Sequence, residues 1–387
     1  MPNDQQDLLR RKLSEAAKHG RGQAGEQMEA LAAQFPFLGN AASGQVPTVM
    51  LFRSVRYAHA KVGPDDDVQL WIPEGHFSTK FFLESFPGRQ VIANVFGANL
   101  PAGASAKPAD VAINTISCPD LHNADLTALS AYLAEHPDMP VINHPDLIQR
   151  TARVDICDVL AGIPGLLVPR TKRILLEGDD LEATLSCELA EFDSPVILRE
   201  AGAHTGRTVF LLRNQTELSA ALAKFGPGTS IYATQFVDSR GYVQGDTQGG
   251  ASLFTKFRAF FIDGAIYPVA RLVSNAWSIH SGDRYRVMFA MPDAQRHERA
   301  YLSDPESALG PAGIRALEEV QRRLKLDFCG IDFTRLPNGD LLLFEANPVM
   351  RHNYDHAKTF AYTKPNLDRI SRAFADMVQA RIALAVS

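Results

Sequence analysis

The chain has 387 residues, 45% of them hydrophobic, and 39 basic against 44 acidic side chains give a formal charge of −5. That length exceeds one ordinary core and suits two or three domains, while a near-balanced charge without long runs of either sign excludes the electrostatic footprint of a nucleic-acid binder. Four cysteines, Cys118, Cys157, Cys187 and Cys329, stand at spacings that match neither a zinc site nor a disulfide framework and read as reduced thiols.

The opening stretch MPNDQQDLLRRKL is polar where a secretory signal needs an apolar core, and no apolar run reaches the roughly 18 residues of a membrane helix. A cytoplasmic protein with no membrane partner is expected. Residues 4–35 carry helical spacing, with Leu9, Leu13 and Ala16 on one stripe, Met28 and Leu31 on a second, and Gly20-Arg21-Gly22 between them. From about Val46 short apolar runs recur (TVMLF, VQLWI, QVIANVF, DVAINTI, PVINH) around one good helix at 126–135, which predicts a small α/β domain with a partly parallel sheet.

A new segment begins near Pro145 with the helical spacing of LIQRTARVDICDVLAGI and a stop at Pro164-Gly165. The strand PVILRE then leads through AGAHTG into RTVFLL, so that Arg199 precedes a loop holding Gly202 and Gly206. Glycines there let backbone N–H groups approach phosphate oxygens, and the same loop equally suits an ordinary hairpin turn. A P-loop is disfavoured, because it needs four residues between its glycines, then Lys and a helix, and this loop has three, then Arg and a β-rich run.

After IYATQFV comes a hairpin, SLFTKFRAFFIDGAIYPVARLV, whose Asp263-Gly264 pair is a preferred two-residue loop. A regular ladder from that loop sets Lys256 opposite Arg271, with Arg258 along the same face. Three cations on one face call for an anion such as phosphate, the bland alternative being a surface strip answered by scattered carboxylates. The polar loop NAWSIHSGDRYR carries Trp277, His280 and Arg284 and reads equally as a lid facing substrate or a packed connector. An amphipathic helix is expected over 311–326.

The stretch GIDFTRLPNGDLLLFEANP holds the strongest hairpin signal, Asn338-Gly339. A two-residue loop there puts Asp332 directly across from Glu345, with Asn347 on the same face and Ile331, Phe333, Leu342, Phe344 and Ala346 on the other. Like charges facing each other are unfavourable by up to about 1 kcal/mol, so something must compensate. Hard oxygen ligands on one surface suit Mg²⁺, and arginine pairing is the competing explanation. In RHNYDH, His352 and His356 have helical i, i+4 spacing but no zincin pattern, so the stretch reads first as plain surface, then as substrate contact by Arg351 or His352, and last as a metal site.

These elements in this order resemble the ATP-grasp superfamily, which includes glutathione synthetase, D-alanine–D-alanine ligase and the ribosomal-protein glutamate ligases. The resemblance covers about residues 140–365 and is most specific in LDFCGIDFTRLPNGDLLLFEANP. It implies an α/β and α+β multidomain fold: a helical N-terminal extension (1–45), an N-terminal α/β domain (46–144), a central lid subdomain (145–225) and a C-terminal subdomain with the metal site (226–387). It assigns metal roles to Asp332, Glu345 and Asn347. Arg199 stands where the family has a nucleotide lysine, Arg150 or Arg153 is available near the other lysine, and Gly202 and Gly206 lie in the phosphate-covering loop. Gln235, Phe236 and Val237 look like the adenine hinge, with Asp238 toward ribose. Arg271, assisted by Arg258 and Lys256, takes the catalytic place on the transferring phosphoryl group. Pro348 is followed by Val349 and Met350 where the family often has Gly.

The resemblance therefore implies an ATP-dependent ligase that joins a small-molecule or peptide carboxylate to an amine through an acyl phosphate, with ATP and Mg²⁺ as cofactors, room for two ions, and Mn²⁺ as a substitute. Arg351, His352 and His280 are the candidate substrate contacts, and a homodimer is compatible with the sequence. The alternatives are an ATP-grasp small-molecule kinase and a non-catalytic ATP-binding regulatory protein. No G-x-S-x-G motif or Cys/His pairing offers a protein nucleophile.

Overall fold

The computed structural model describes residues 37–38, 46–55, 59–62, 68–71, 74–84, 86–95, 109–204, 208–241, 247–248 and 251–386. The helical reading of residues 4–35 lies outside them. The chain divides into two compact units, one made of residues 1–149, 326–328 and 371–387, the other of 150–325 and 329–370. Among the described residues no helix is long and apolar enough to cross a membrane.

The first unit contains β1 (Phe37–Leu38), β2 (Thr48–Ser54), β3 (His59–Val62), β4 (Val68–Trp71), β5 (Arg89–Val95), β6 (Val111–Asn114), α1 (Pro119–Ala134), β7 (Val141–Ile142) and α2 (Pro145–Gln149). Its sheet has the order β1-β5-β2-β6-β7, with β5, β2, β6 and β7 parallel and β1 antiparallel, while β3 and β4 pair separately. Every residue of β2 is buried, as a parallel strand covered on both faces requires, and this explains the unbroken apolar run TVMLF. The short strand β1 falls inside the segment assigned to the N-terminal extension. At the end of β2, Ser54 Oγ donates to Asp125 Oδ2 at 2.7 Å and Ser54 N to His76 Nε2 at 3.0 Å, so this strand end is closed by the chain's own polar groups.

The second unit contains α3 (Asp155–Val159), β8 (Leu166–Leu167), β9 (Thr171–Leu175), α4 (Leu181–Leu189), β10 (Val196–Glu200), β11 (Val209–Leu212), α5 (Leu218–Leu222), β12 (Ser230–Gln235), β13 (Thr247–Gln248), β14 (Ala251–Ser252), β15 (Phe254–Ile262), β16 (Ala265–Ser274), α6 (Asp283–Arg286), α7 (Pro292–Ser303) and α8 (Pro305–Leu324). β17 (Phe328–Arg335) and β18 (Leu341–Asn347) follow, and α9 (Lys364–Val386) has its first residues in this unit and those from Ser371 in the first. An antiparallel sheet, β11-β10-β12-β9, buries Leu185, Leu189, Leu198 and Ile231 in its own core. The larger sheet has the order β16-β15-β17-β18-β8. The α/β and α+β class expected from the sequence is the one observed.

One face of the larger sheet is packed by α7 and α8. Asp304 caps α8 by accepting from Ser307 N at 3.2 Å. Gly310, at φ 74, interrupts the first turns, so the predicted start at Pro311 marks the regular part. From there Gly313, Ala316, Leu317, Val320 and Leu324 form the buried stripe. From α7, Tyr301 meets Phe257 edge-on at 4.9 Å, and its hydroxyl donates to Arg258 O at 3.0 Å.

Both predicted hairpins form, and both carry a bulge. Asp263 and Gly264 adopt φ values of 46° and 88°, giving the expected two-residue loop. Ala259 still pairs with Pro268, but Arg258 pairs with Ala270, so Val269 is an extra residue on β16. Pro268 has no N–H for the ladder and sits on the edge strand beside the bulge, where such a residue is tolerated. The slip of one residue moves Arg271 to the other face: it lies opposite Phe257, and Leu272 lies opposite Lys256. The expected facing of Lys256 and Arg271 is thereby overturned.

In the β17–β18 hairpin the loop is Pro337-Asn338-Gly339 and not Asn338-Gly339 alone. Leu336 N donates to Asp340 O at 2.8 Å and Gly339 N to Leu336 O at 2.9 Å, with Gly339 at φ 95. That shifts the ladder by one residue, and a bulge at Phe344 shifts it back: Phe333 pairs with Leu343, yet Asp332 pairs with Glu345. The facing carboxylates are as expected because two irregularities cancel. Leu343, not Leu342 or Phe344, shares the face of Phe333.

Flipping Arg271 places it beside a buried polar network. Glu298 on α7 is fully buried and accepts from Arg271 N at 3.1 Å, from Tyr362 Oη at 2.6 Å and from the buried Arg284 guanidinium. Arg284 is therefore a packed connector and not a lid residue. Replacing Glu298 with Ala leaves Arg284 without that counter-charge in the interior and should lower the unfolding free energy by about 3–5 kcal/mol. A fall in the urea midpoint at constant slope would measure it, and a loss under about 1 kcal/mol would contradict this role.

Candidate nucleotide and metal site

The face of the larger sheet turned away from α7 and α8 carries the charge. Alternation along β15 sets Lys256 and Arg258 on it, β17 adds Asp332, and the bulge at Phe344 returns Glu345 and Asn347 to it. Lys256 Nζ lies 3.3 Å from Asp332 Oδ2, and Arg258 Nε donates to Asp332 Oδ1 at 2.7 Å. Arg153, in the turn before α3, forms an ion pair with Glu345 Oε2 and donates through Nη1 to Phe344 O at 3.2 Å. Arg199, near the end of β10 in the smaller sheet, brings Nη1 to 4.0 Å from the same Oε2. Asn347 Nδ2 donates to Glu345 Oε1 at 2.9 Å, and its Oδ1 accepts from Val349 N at 3.1 Å.

Four cations thus surround two carboxylates. Burial alone would push the Glu345 carboxyl up, but Arg153, Arg199, Lys256 and Arg258 together hold it at about 2. The proximity of Arg153, with burial, pulls Arg199 down to about 10, still charged at neutral pH. Burial opposes the charge on Arg258, yet the ion pair and hydrogen bond with Asp332 leave its pKa above the ordinary value. The compensation for the facing carboxylates is therefore a ring of cations, where the sequence suggested a metal.

Asp332, Glu345 and Asn347 nevertheless carry the donor types that Mg²⁺ favours, two hard carboxylates and an amide oxygen, with the Asn347 amide here turning Nδ2 to Glu345 and Oδ1 to Val349 N. Among the described residues no group of three His, Cys, Asp or Glu side chains could hold a metal by itself. The pair suits an ion that keeps waters and completes its shell on a bound phosphate.

The other predicted residues fall into three groups. Gly202, at φ 78, forms the turn after β10, while Gly206 lies outside the described residues. Gln235, at the end of β12, donates through Nε2 to Asp193 O at 2.8 Å, and Phe236 N donates to Pro195 O at 3.3 Å. Phe236 and Val237 are half-buried, with the Phe236 ring edge-on to Trp277 at 6.3 Å. Asp238 is gripped by Arg240 Nε at 3.0 and 3.1 Å, which holds its carboxyl below the usual range.

Among the candidate substrate contacts, His280 is exposed with Nε2 3.1 Å from Ser278 Oγ, and partial desolvation, then the charge of Lys256, lowers its pKa. His352 is buried against Phe260 at 6.0 Å, and burial pushes it down to about 4. Arg351 and Arg150 are exposed. His356 Nδ1 is 2.9 Å from Tyr285 Oη. Arg271 is set apart from all of these by the bulge at Val269. Sequence reasoning missed Glu298 and Tyr362 because nothing local marks a partner that is distant along the chain.

No protein-family model matches the sequence, and no curated protein sequence does. Solved structures do match. A RimK-domain ATP-grasp protein from Sphaerobacter thermophilus is 17% identical, with 86% of this chain and 99% of that one covered at a TM-score of 0.46. The VanG D-Ala:D-Ser ligase of Enterococcus faecalis is 12% identical over 85% and 100% of the two chains at 0.46. The N5-carboxyaminoimidazole synthase of Aspergillus clavatus is 12% identical over 84% and 77% at 0.49. The chain is similar to ATP-grasp ligases. The functional reading rests on the geometry of the site.

The ring of cations fixes the sign of a pH effect. The Glu345 carboxyl titrates near 2 in the folded chain, against about 4.3 unfolded, so its contribution to stability is complete above about pH 5 and is lost as the pH falls toward 2. Glu345→Gln should therefore be less stable than the wild type above pH 5, with the difference closing between about pH 4.5 and 2. A variant more stable than the wild type at neutral pH would show the like-charge repulsion to be uncompensated.

Proposed function

We propose that this chain is an ATP- and Mg²⁺-dependent carboxylate–amine ligase that forms an amide or peptide bond through an acyl phosphate, acting on an amino acid, a peptide or another small carboxylate. The observation that carries the reading is the β15–β17–β18 face, where Lys256, Arg258, Arg153 and Arg199 converge on the facing Asp332 and Glu345. The excess of positive charge matches a polyphosphate. Asp332, Glu345 and Asn347 would hold the divalent cation, which when bound neutralises phosphate charge.

In this reading Arg153 and Arg199 grip the non-transferring phosphates, while Lys256 and Arg258 stabilise charge on the transferring group. A carboxylate oxygen of the first substrate attacks the γ-phosphorus, the bond to the β-phosphate oxygen breaks, and ADP leaves. The amine nitrogen then attacks the acyl carbon, the carbon–oxygen bond to phosphate breaks with its electron pair leaving on phosphate, and the nitrogen gives up a proton. No protein nucleophile is required. Burial raises the thiol pKa of Cys157 and that of Cys329, so neither is poised as a thiolate.

Hydroxylamine supplied with ATP, Mg²⁺ and the carboxylate, but without the amine, should trap a hydroxamate and release ADP. Mass spectrometry reads the product. A phosphorylated hydroxyl compound in its place would mean a kinase, and ATP binding without ADP release under a full substrate set would mean a non-catalytic nucleotide binder. Lys256→Met should lower turnover by about a hundredfold with a smaller loss of ATP affinity, as expected for a group whose partner charge grows in the transition state. Equal losses in both would make Lys256 a ground-state phosphate contact only.

A further inference from the structure

Every oxygen of the facing carboxylate pair is already engaged. Asp332 Oδ1 accepts from Arg258 and Oδ2 faces Lys256, while Glu345 Oε1 accepts from Asn347 and Oε2 faces both Arg153 and Arg199. A divalent cation needs those same oxygens. We propose that the four cations form a latch over the metal-ligating carboxylates, and that the nucleotide opens it. On this proposal phosphate binding draws the cations off Asp332 and Glu345, so nucleotide and metal bind with positive coupling and the metal does not enter first. The inference rests on reading this face as the nucleotide site.

Charge decides the order. Four cations against two carboxylates leave two positive charges on the face, and a metal arriving alone would raise that excess to about four while taking the counter-ions from four side chains. A triphosphate carries about four negative charges at neutral pH and would reverse the excess, after which the metal restores balance. Geometry marks the moving parts. Arg199, at 4.0 Å, is the looser partner of Glu345 and already feels the repulsion of Arg153. Arg153 holds both the carboxylate and Phe344 O, so it is the bolt. Coupling of this kind is reciprocal: bound metal tightens the nucleotide by the factor by which bound nucleotide tightens the metal, whereas deleting a latch cation tightens the metal and weakens metal-free nucleotide by removing a phosphate contact.

The test is binding without turnover, using Mn²⁺ followed by its free-ion paramagnetic resonance signal and a non-hydrolysable ATP analogue followed by calorimetry. Wild-type protein should bind the analogue in the presence of EDTA, should bind Mn²⁺ poorly by itself, and should bind it at least about tenfold more tightly once the analogue is bound, after correction for Mn²⁺–analogue complex in solution. Arg153→Gln should tighten Mn²⁺ alone by about tenfold and weaken metal-free analogue. Lys256→Met, which frees Asp332 Oδ2, should act in the same direction, and thermal unfolding confirms that each variant is folded. Wild-type binding of Mn²⁺ that is equally tight with and without analogue, or unchanged Mn²⁺ affinity in both folded variants, overturns the latch while leaving the nucleotide site standing. Absence of analogue binding under every condition overturns the site, and the latch with it.

Discussion

Two carboxylates that face each other across a pair of β-strands repel, and Asp332 and Glu345 show how this chain offsets that repulsion with opposite charge. Lys256 and Arg258 come from the neighbouring strand β15, Arg153 from the turn before α3, and Arg199 from a different sheet. The result is a face with surplus positive charge, on which the cations hold the Glu345 carboxyl well below the usual carboxylate range. Such a face is suited to a metal-bound polyphosphate, because the groups that neutralise the carboxylates before the ligand arrives are the groups that would hold its phosphates.

The opposite face of the same sheet makes the arrangement rigid. Phe257 and Phe333 stack at 5.7 Å, Tyr301 closes on them from α7, and Gly313 lets α8 approach Leu341. Arg271 belongs to this side, with its guanidinium 5.7 Å over the Phe257 ring and its backbone N–H on Glu298. A buried carboxylate shared by Arg284, Tyr362 and the Arg271 backbone ties α6, α7 and the segment before α9 to β16. Strands fixed in this way hold Lys256, Arg258, Asp332 and Glu345 in register with one another.

Much of this was legible in the sequence, in an uneven way. Period-2 alternation and the Asp263-Gly264 and Asn338-Gly339 signals located both hairpins and the shared face of Asp332, Glu345 and Asn347. What alternation does not reveal is a bulge. Val269 and Phe344 are ordinary β-formers, and the extra residue is decided by packing across the sheet, so Arg271 was placed on the wrong face while Glu345 was placed correctly through two compensating slips. The ion pairs of Arg153 and Arg199 with Glu345 join residues far apart in sequence, and no local pattern announces them. The like-charge pair itself was the signal that some compensation must exist. The identity of the compensating groups was fixed by tertiary structure.

The central claim is that the cations of the hairpin face are a phosphate site. Calorimetric titration of the whole chain with the Mg²⁺ complex of a non-hydrolysable ATP analogue tests it most directly. The account predicts saturable binding to the wild type, weakened by about a hundredfold when Lys256 and Arg258 are both replaced by Met, since two charge-assisted contacts to phosphate are removed. Binding of equal affinity in the wild type and the folded double variant would contradict it.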